Sequence, residues 1–399
     1  MLFKDIIGQS EVKSHLKEMV HHNRLSHALL FLGKEGSGAL PLAIAFANYI
    51  CLSSGRNGYP ELTGMQAEDT DPDTLIESHP SYSKVKAMVH PDIHFSYPVI
   101  TKKPGQSPIS TDYIQEWREF ITKYPYGNAF DWLQFIGAEN KQGNITAQEC
   151  NDIIRKLNLK SFESEYKILL LWMPEYLGNE GNKLLKLIEE PPANTLFILV
   201  SENESLVLQT ILSRTQLIKI PALENHEITQ SLVSRAKIAP EQAARISAVS
   251  EGSYREALQM IHHADEDWIS LVREWLNAIM KNGPIAQVKW VDEISKLGRE
   301  RQKQFLRYFN HLLEQSIRLR TMSAYYDEPG NEHLMPANEK EFAARLNNRA
   351  GIAEQKAIIE ELDRASYYIE RNANAKMLFL ALTIKLYHII ADKSVILVA

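Results

Sequence analysis

Short continuous apolar runs punctuate the first 220 residues, and between and beyond them apolar positions recur at helical spacing. Four runs, 28–32, Lys167–Trp172, Thr195–Ser201 and Gln216–Ile220, are too short for helices and are bounded by turn-forming residues. That is how strands buried on both faces read. A fifth strand is expected near 94–100. A short helix with a charged face precedes the first run, and an apolar helix at 42–47 follows it. Further helices are expected over 145–157 and over 182–190, where Leu184, Leu187 and Ile188 share one face and Pro191-Pro192 end it. The segment 208–213 leads into the last run. Strands alternating with helices imply right-handed crossovers and a mainly parallel sheet.

Two stretches break this rhythm. From about 53 to 112 no period survives, and Ser53-Ser54-Gly55-Arg56-Asn57-Gly58 and Thr101-Lys102-Lys103-Pro104-Gly105 are turn-rich. A helix bearing Tyr113, Trp117 and Phe120 follows, so 53–145 reads as a long insertion. Beyond Pro221 the strands cease. Residues 221–264 read as a small helical lid, and 265–399 as long amphipathic helices interrupted by the polar stretch 326–331. The expected architecture is α/β plus all-α: an α/β module over 1–220, the lid, and a helical domain over 265–399.

Composition narrows the function classes. With 399 residues, 44% hydrophobic and 24% charged, the chain has the make-up of an ordinary soluble globular protein of two or three domains. A formal net charge of −6 gives no global basic footprint, so any nucleic-acid contact is expected to be local or made by other subunits. Cys51 and Cys150 are the only cysteines, which excludes a disulfide framework and a four-cysteine zinc site. No long charge-free apolar run appears, and the expected location is the cytoplasm, without a membrane partner.

The candidate chemistry lies first at Gly33-Lys34-Glu35-Gly36-Ser37-Gly38-Ala39-Leu40. Strand, loop and helix follow the spacing of a phosphate-binding loop, with Gly33, Gly36 and Gly38 as its glycines. Ala39 stands where the lysine belongs and Leu40 where the metal-binding hydroxyl belongs. Backbone N–H groups could still hold a phosphate, but the groups that grip the β/γ-phosphates and metal are missing. After the second run, Trp172 and Met173 occupy the places where an acidic pair would hold Mg²⁺ and activate water; Glu175 is the nearest carboxylate.

Several segments, in order, resemble the δ′ family of clamp-loader subunits of bacterial DNA polymerase III. They are Phe3-Lys4-Asp5-Ile6-Ile7-Gly8-Gln9, the approach Arg24-Leu25-Ser26-His27 to the loop, His90-Pro91-Asp92-Ile93, and the helix 182–190 with its prolines. Ile211-Leu212-Ser213-Arg214-Thr215-Gln216, Gly252-Ser253-Tyr254-Arg255-Glu256-Ala257-Leu258 and Arg371-Asn372-Ala373-Asn374 complete the set. The resemblance implies an AAA+-like P-loop module, a lid, and a C-terminal helical collar that joins subunits in a ring. It implies Arg214, with Ser213, as an arginine finger reaching a neighbour's γ-phosphate, and Arg255 as a sensor-2-like residue near the loop. The partners implied are γ/τ-type ATPase subunits and δ, with the sliding clamp and primed DNA met mainly through the complex. Three departures stand out. The family's zinc cysteines are absent but for Cys51, so no zinc is expected; the insertion at about 94–145 is longer than usual; and Thr215 replaces a frequent cysteine. ATP is expected to bind weakly or not at all.

Other readings stay open at this point. An active ATPase of γ/τ type is opposed by Ala39, Leu40, Trp172 and Met173; an AAA+-skeleton adaptor unrelated to replication is not. Arg214 could simply pair with a surface carboxylate. His90, Asp92 and His94 would share one face of a strand and could be metal ligands, although hydrogen bonding is the commoner use of such residues. The aromatic group Trp117, Phe120, Tyr124, Tyr126, Phe130, Trp132 and Phe135 could stack on bases, but it has few interleaved cations and fits a packed core better. Leu378, Leu382, Leu386 and Ile389 recur at helical spacing and suit either bundle core or a subunit interface.

Overall fold

Period-two alternation sorts the side chains of the central strands into two separate cores. In the computed structural model, which describes residues 1–53, 71–102, 105–138, 141–262, 267–321, 337–370 and 373–391, the strands are β1 (Ala28–Gly33), β2 (Ile93–Ser96), β3 (Lys167–Trp172), β4 (Thr195–Ser201) and β5 (Gln216–Ile220). They form one sheet in the order β2-β3-β4-β1-β5, and every pairing is parallel. Leu29, Phe31, Ile168, Leu170, Trp172, Leu196, Ile198 and Val200 enter one core. Leu30, Leu169, Leu171, Phe197 and Leu199 enter the other. Every residue of β3 and β4 is buried, whereas edge strand β5 exposes Gln216, Leu217 and Lys219 and buries Ile218 and Ile220.

The first core lies under α1 (Ser10–His21), α2 (Ala39–Ser53), α3 (Pro72–Ser78), α4 (Tyr82–Lys86), α5 (Ile114–Lys123) and α6 (Ala129–Phe135). All fifteen residues of α2 are buried, which is why its sequence is apolar all round. The second core is covered by α7 (Ala147–Leu157), α8 (Leu185–Glu189) and α9 (Gln209–Leu212). Then follow α10 (Asn225–Arg235), α11 (Pro240–Val249) and α12 (Tyr254–His262), the helices of the expected lid, with a small core of their own. The chain divides into two compact units, Met1–Ile261 and His262–Ala399. The helices α10 to α12 fall within the first.

The second unit contains α13 (Trp268–Asn277), α14 (Gly283–Ile294), α15 (Arg299–Thr321), α16 (Ala337–Asn347), α17 (Ile352–Glu370) and α18 (Ala375–Ala391). Its core centres on Trp275 and Trp290, stacked at 4.5 Å between ring centroids and 3° between planes. The Trp275 indole N–H reaches the Thr383 hydroxyl at 2.9 Å. Of the apolar stripe on α18, Leu382, Leu386 and Ile389 are buried in this core, while Met377, Ile384 and Tyr387 face outward. Among the described residues no helix is long and apolar enough to cross a membrane. The polar stretch 326–331, most of the turn-rich 53–58, Lys103-Pro104 and Arg371-Asn372 lie outside the described residues.

Three expectations need correction. The strand placed near 94–100 is Ile93–Ser96; Pro98 cannot donate to a ladder, and Val99 makes only an isolated antiparallel bridge with Asn144. The helix expected from 145 starts at Ala147 because Thr146 caps it, its hydroxyl accepting from Glu149 N–H at 3.2 Å. The helix expected over 182–190 is α-helical only at Leu185–Glu189; its first three residues close a 3₁₀ stretch, Pro174–Leu184, that is broken at Gly178. Glycine and asparagine in that stretch hold α-helix poorly.

Of the aromatic group, Trp117, Phe120, Tyr126 and Trp132 are buried, Phe130 and Phe135 are half-buried and Tyr124 is exposed. Trp117 and Trp132 are fully buried, meeting edge-to-face at 5.3 Å, and Tyr97 stacks on Trp117 at 4.0 Å. Trp172 of β3 packs on Trp117 at 5.2 Å and so ties the insertion to the sheet. Replacing Trp117 by Ala is expected to lower the unfolding free energy of the first unit by about 3–5 kcal/mol. Urea denaturation followed by circular dichroism checks this, and a loss below about 1 kcal/mol would contradict the packing described.

Candidate functional site

The loop between β1 and α2 has the backbone its glycines demand. Gly36 (φ +73°) and Gly38 (φ +93°) lie in the left-handed region. A Cβ on Gly33 would stand 2.6 Å from the Ser37 hydroxyl and 2.9 Å from Ile220 Cβ. Beyond the loop, Ala39 and Leu40 turn into the first core and are nearly inaccessible. Both side chains contribute apolar packing to that core.

Three distant segments close over this loop. From the N-terminal segment, the Gln9 amide donates to the carbonyls of Ser37 at 3.1 Å and Pro221 at 2.7 Å. From the lid, Tyr254 N–H donates to the Gly36 carbonyl at 3.1 Å, and a Cβ on Gly36 would lie 2.1 Å from the Ser253 hydroxyl. From the insertion, the Tyr126 ring lies 3.0 Å from where a Cβ on Gly38 would sit, and Asn128 Nδ2 donates to the Glu35 carboxylate at 2.8 Å. The remaining cavity, lined by Gly33, Gly36, Ala39, Tyr126 and Trp172 among others, measures about 20 Å³. That is room for about one water.

Arg255 is buried beside the loop, 3% exposed. Its Nε and Nη2 donate to the two oxygens of Asp131 at 2.5 and 2.7 Å, and Nη1 donates to Glu256 at 2.9 Å. The fork–fork geometry with Asp131 is the strongest an arginine makes with a carboxylate. The residue singled out as sensor-2-like is therefore engaged by carboxylates of its own chain.

At the end of β3, Trp172 and Met173 are buried, Met173 in a left-handed conformation (φ +59°). Glu175 is held by hydrogen bonds to the end of β4. Its Oε1 accepts from the Ser201 hydroxyl at 2.6 Å, Glu202 N–H at 2.8 Å and Asn203 N–H at 3.0 Å. Burial raises its pKa above the ordinary carboxylate value, partly opposed by those hydrogen bonds. It ties together the end of β4.

Ser213 and Arg214 stand at the opposite end of the sheet. In the β1–β5 register Gly33 faces Ile220 and Leu29 faces Gln216. The loop thus leaves at one end, and Arg214, two residues before Gln216, enters at the other. Four residues of strand separate them, about 13 Å at about 3.3 Å per residue. Arg214 is one-third exposed. It donates to the Glu189 carboxylate, to the Thr210 carbonyl at 2.8 Å and to the Ser213 hydroxyl at 3.1 Å. Ser213 in turn donates to Thr210 O at 3.2 Å.

His90, Asp92 and His94 do not share one strand face, because β2 begins only at Ile93. Asp92 accepts from the N–H groups of Phe162, Glu163 and Ser164 at 2.6–2.8 Å. His90 lies between Cys51 Sγ, 3.4 Å from Nδ1, and Glu163, 3.6 Å from Nε2. Asp92 and His90 form a hydrogen-bonded support, and His94 lies on β2 beside it. Burial pushes the Cys51 thiol up to about 12 and the Cys150 thiol up to about 11, so neither is a poised nucleophile.

Tyr126, Asn128, Asp131 and Glu189 were not singled out for these roles by sequence. One signal was present: Asn128-x-x-Asp131 is a capping box for α6, with Asp131 N–H donating to Asn128 at 3.0 Å and Asn128 N–H to Asp131 at 3.1 Å.

Against known proteins, the family model described as DNA polymerase III, delta subunit matches residues 8–132 and 128–224, more than half of the chain. DNA polymerase III subunit delta' of Bacillus subtilis is 24% identical over 253 residues, 63% of this chain and 59% of that protein. DNA polymerase III subunit gamma of Buchnera aphidicola is 20% identical over 336 residues, 78% of this chain and 77% of that protein. The chain thus spans 59% of the length of the first relative. Among solved structures, a DNA polymerase III gamma subunit-related protein from Thermotoga maritima covers 95% of this chain and 99% of its own at 13% identity, with a TM-score of 0.36.

His94 supplies a pH test of the site's support. Burial first, then Lys156, lowers its pKa from 6.5 to about 4. The unfolded chain takes up this proton near 6.5 and the folded chain only near 4, so stability is full above 6.5 and falls as pH drops through that window. An NMR titration of the His94 ring is expected to show a midpoint near 4; a midpoint at the ordinary histidine value would refute the burial argument.

Proposed function

The chain belongs to the DNA polymerase III, delta subunit family, and from that membership we propose that it serves in the clamp loader as a δ′-like subunit that performs no ATP chemistry itself. It helps load the sliding clamp onto primed DNA in the cytoplasm and lends Arg214 to the ATP site of a neighbouring γ/τ-type subunit. Its further partners are δ and, through the complex, the clamp and DNA. No zinc is required, and ATP binds weakly or not at all.

The position of Arg214 carries this reading. It is one-third exposed, and the β1–β5 register sets it at the sheet end away from its own phosphate loop. A guanidinium there can reach a phosphate only on another subunit. Its planar, permanently charged fork suits the spread charge of a transferring phosphoryl group. Ser213 and the Thr210 carbonyl orient the fork, and Glu189 holds it until a neighbour docks. Because an exposed ion pair contributes about 0–1 kcal/mol, exchanging Glu189 for phosphate oxygens meets little resistance. Three observations support silence at the chain's own loop: Ala39 and Leu40 in the core, Trp172 and Met173 after β3, and about 20 Å³ of free space. The same residues oppose an active γ/τ-type ATPase.

The test is DNA-stimulated ATP turnover by the complex assembled with partner subunits. Arg214→Ala and Arg214→Lys are both expected to slow hydrolysis at the adjoining site by at least about 10²-fold, since a lysine cannot reproduce the fork. Glu189→Gln should retain turnover. Wild-type turnover in both Arg214 variants would sink the assignment.

A further inference from the structure

The insertion contributes more than packing, because one short stretch of it meets every element around the phosphate loop. Tyr126 is 5% exposed, and its hydroxyl accepts from Ile7 N–H at 2.8 Å. Its ring meets Tyr254 edge-to-face at 5.1 Å between centroids, and it belongs to the hydrophobic core of the lid helices together with Leu223, Ile228, Leu232 and Ala257. Asn128 binds Glu35 of the loop. Asp131 binds both edge nitrogens of Arg255, whose backbone N lies 3.0 Å from where a Cβ on Gly36 would sit.

The charges at this place matter. Lys34 is exposed at the rim, and the one buried cation is Arg255. Around it stand the carboxylates of Asp131 and Glu256, with Glu35 behind Asn128. An incoming triphosphate would have to displace a bidentate carboxylate and then sit among the remaining anions in a water-poor site, where repulsion is weakly screened. A neutral ring already fills the space in front of Gly38.

We propose that residues 125–131 act as a built-in occupant of the nucleotide pocket: Tyr126 fills it and Asp131 supplies the anion for Arg255, so the lid helices stay docked on the α/β module without any nucleotide. In this arrangement the chain completes internally an attachment that would otherwise depend on a bound phosphate compound. The lid position becomes a fixed property of the fold, independent of ATP level. The inference uses only geometry within the first unit and does not draw on the role of Arg214.

Hydrogen exchange of the full chain, read at the amides of 254–261, tests it in two arms. In wild type, millimolar Mg²⁺-ATP is expected to leave exchange unchanged, and a fluorescent anthraniloyl-ADP probe should show no saturable binding. In Asp131→Asn and in Tyr126→Ala, exchange at 254–261 should accelerate at least about tenfold, while amides of β3 and β4 keep their protection. Saturable probe binding to wild type, with slower exchange at 254–261 on adding ATP, would overturn the proposal. So would unchanged exchange in both variants. Asp131→Asn keeps the side-chain shape and can still cap α6, and the wild-type arm needs no variant, so a folding failure of Tyr126→Ala leaves the question decidable.

Discussion

An all-parallel sheet leaves neither face for water, and that requirement organises the first unit. Each central strand must hand alternate side chains to two dry cores, and each core must be roofed by chain that returns between strands. The roof on one side is α2 with the aromatic cluster of the insertion; on the other it is α7 to α9. Once both faces are covered, the loops at the strand ends have fixed positions. The phosphate loop follows β1 at one end of the sheet, and the Ser213-Arg214 turn precedes β5 at the other. The separation of the glycine loop from Arg214 is therefore a consequence of parallel register.

At the sheet end that carries the glycine loop, packing dominates. Ala39 and Leu40 extend the core, Trp172 joins the insertion's aromatic cluster, and Glu175 caps backbone N–H groups after β4. The cost of burying Arg255 is offset by two carboxylates and good geometry, the condition under which such a charge is tolerated in an interior. At the other end the Arg214–Glu189 pair is partly exposed, and an ion pair of that kind contributes little to stability.

Local periodicity made four of the five strands, the helical nature of α2 and the glycine loop legible in advance, because each depends on residues adjacent in the chain. The departures at Ala39, Leu40, Trp172 and Met173 were equally visible, since a motif is a local pattern. Pairings across long separations left no such trace. Asp131 and Arg255 lie 124 positions apart, and Ile7 and Tyr126 lie 119 apart. Nothing in the spacing of either pair distinguishes it from surface residues. The helix expected over 182–190 is α only from Leu185, because Asn182 and the preceding Gly178 and Gly181 weaken the backbone preference that would extend it.

Both thiols of the chain are buried, and burial holds both in the protonated form, Cys51 behind Ser164 and His90 and Cys150 on the buried face of α7. A protonated, enclosed sulfur reacts slowly with alkylating and oxidising reagents. The native sequence therefore behaves as a cysteine-silent background. A single cysteine placed on the exposed face of α12 or on the outward side of α18 could carry a fluorophore or spin label without removing either natural thiol. Distances between labelled positions would then report the arrangement of the two units in an assembled complex, with the cores that define each unit left intact.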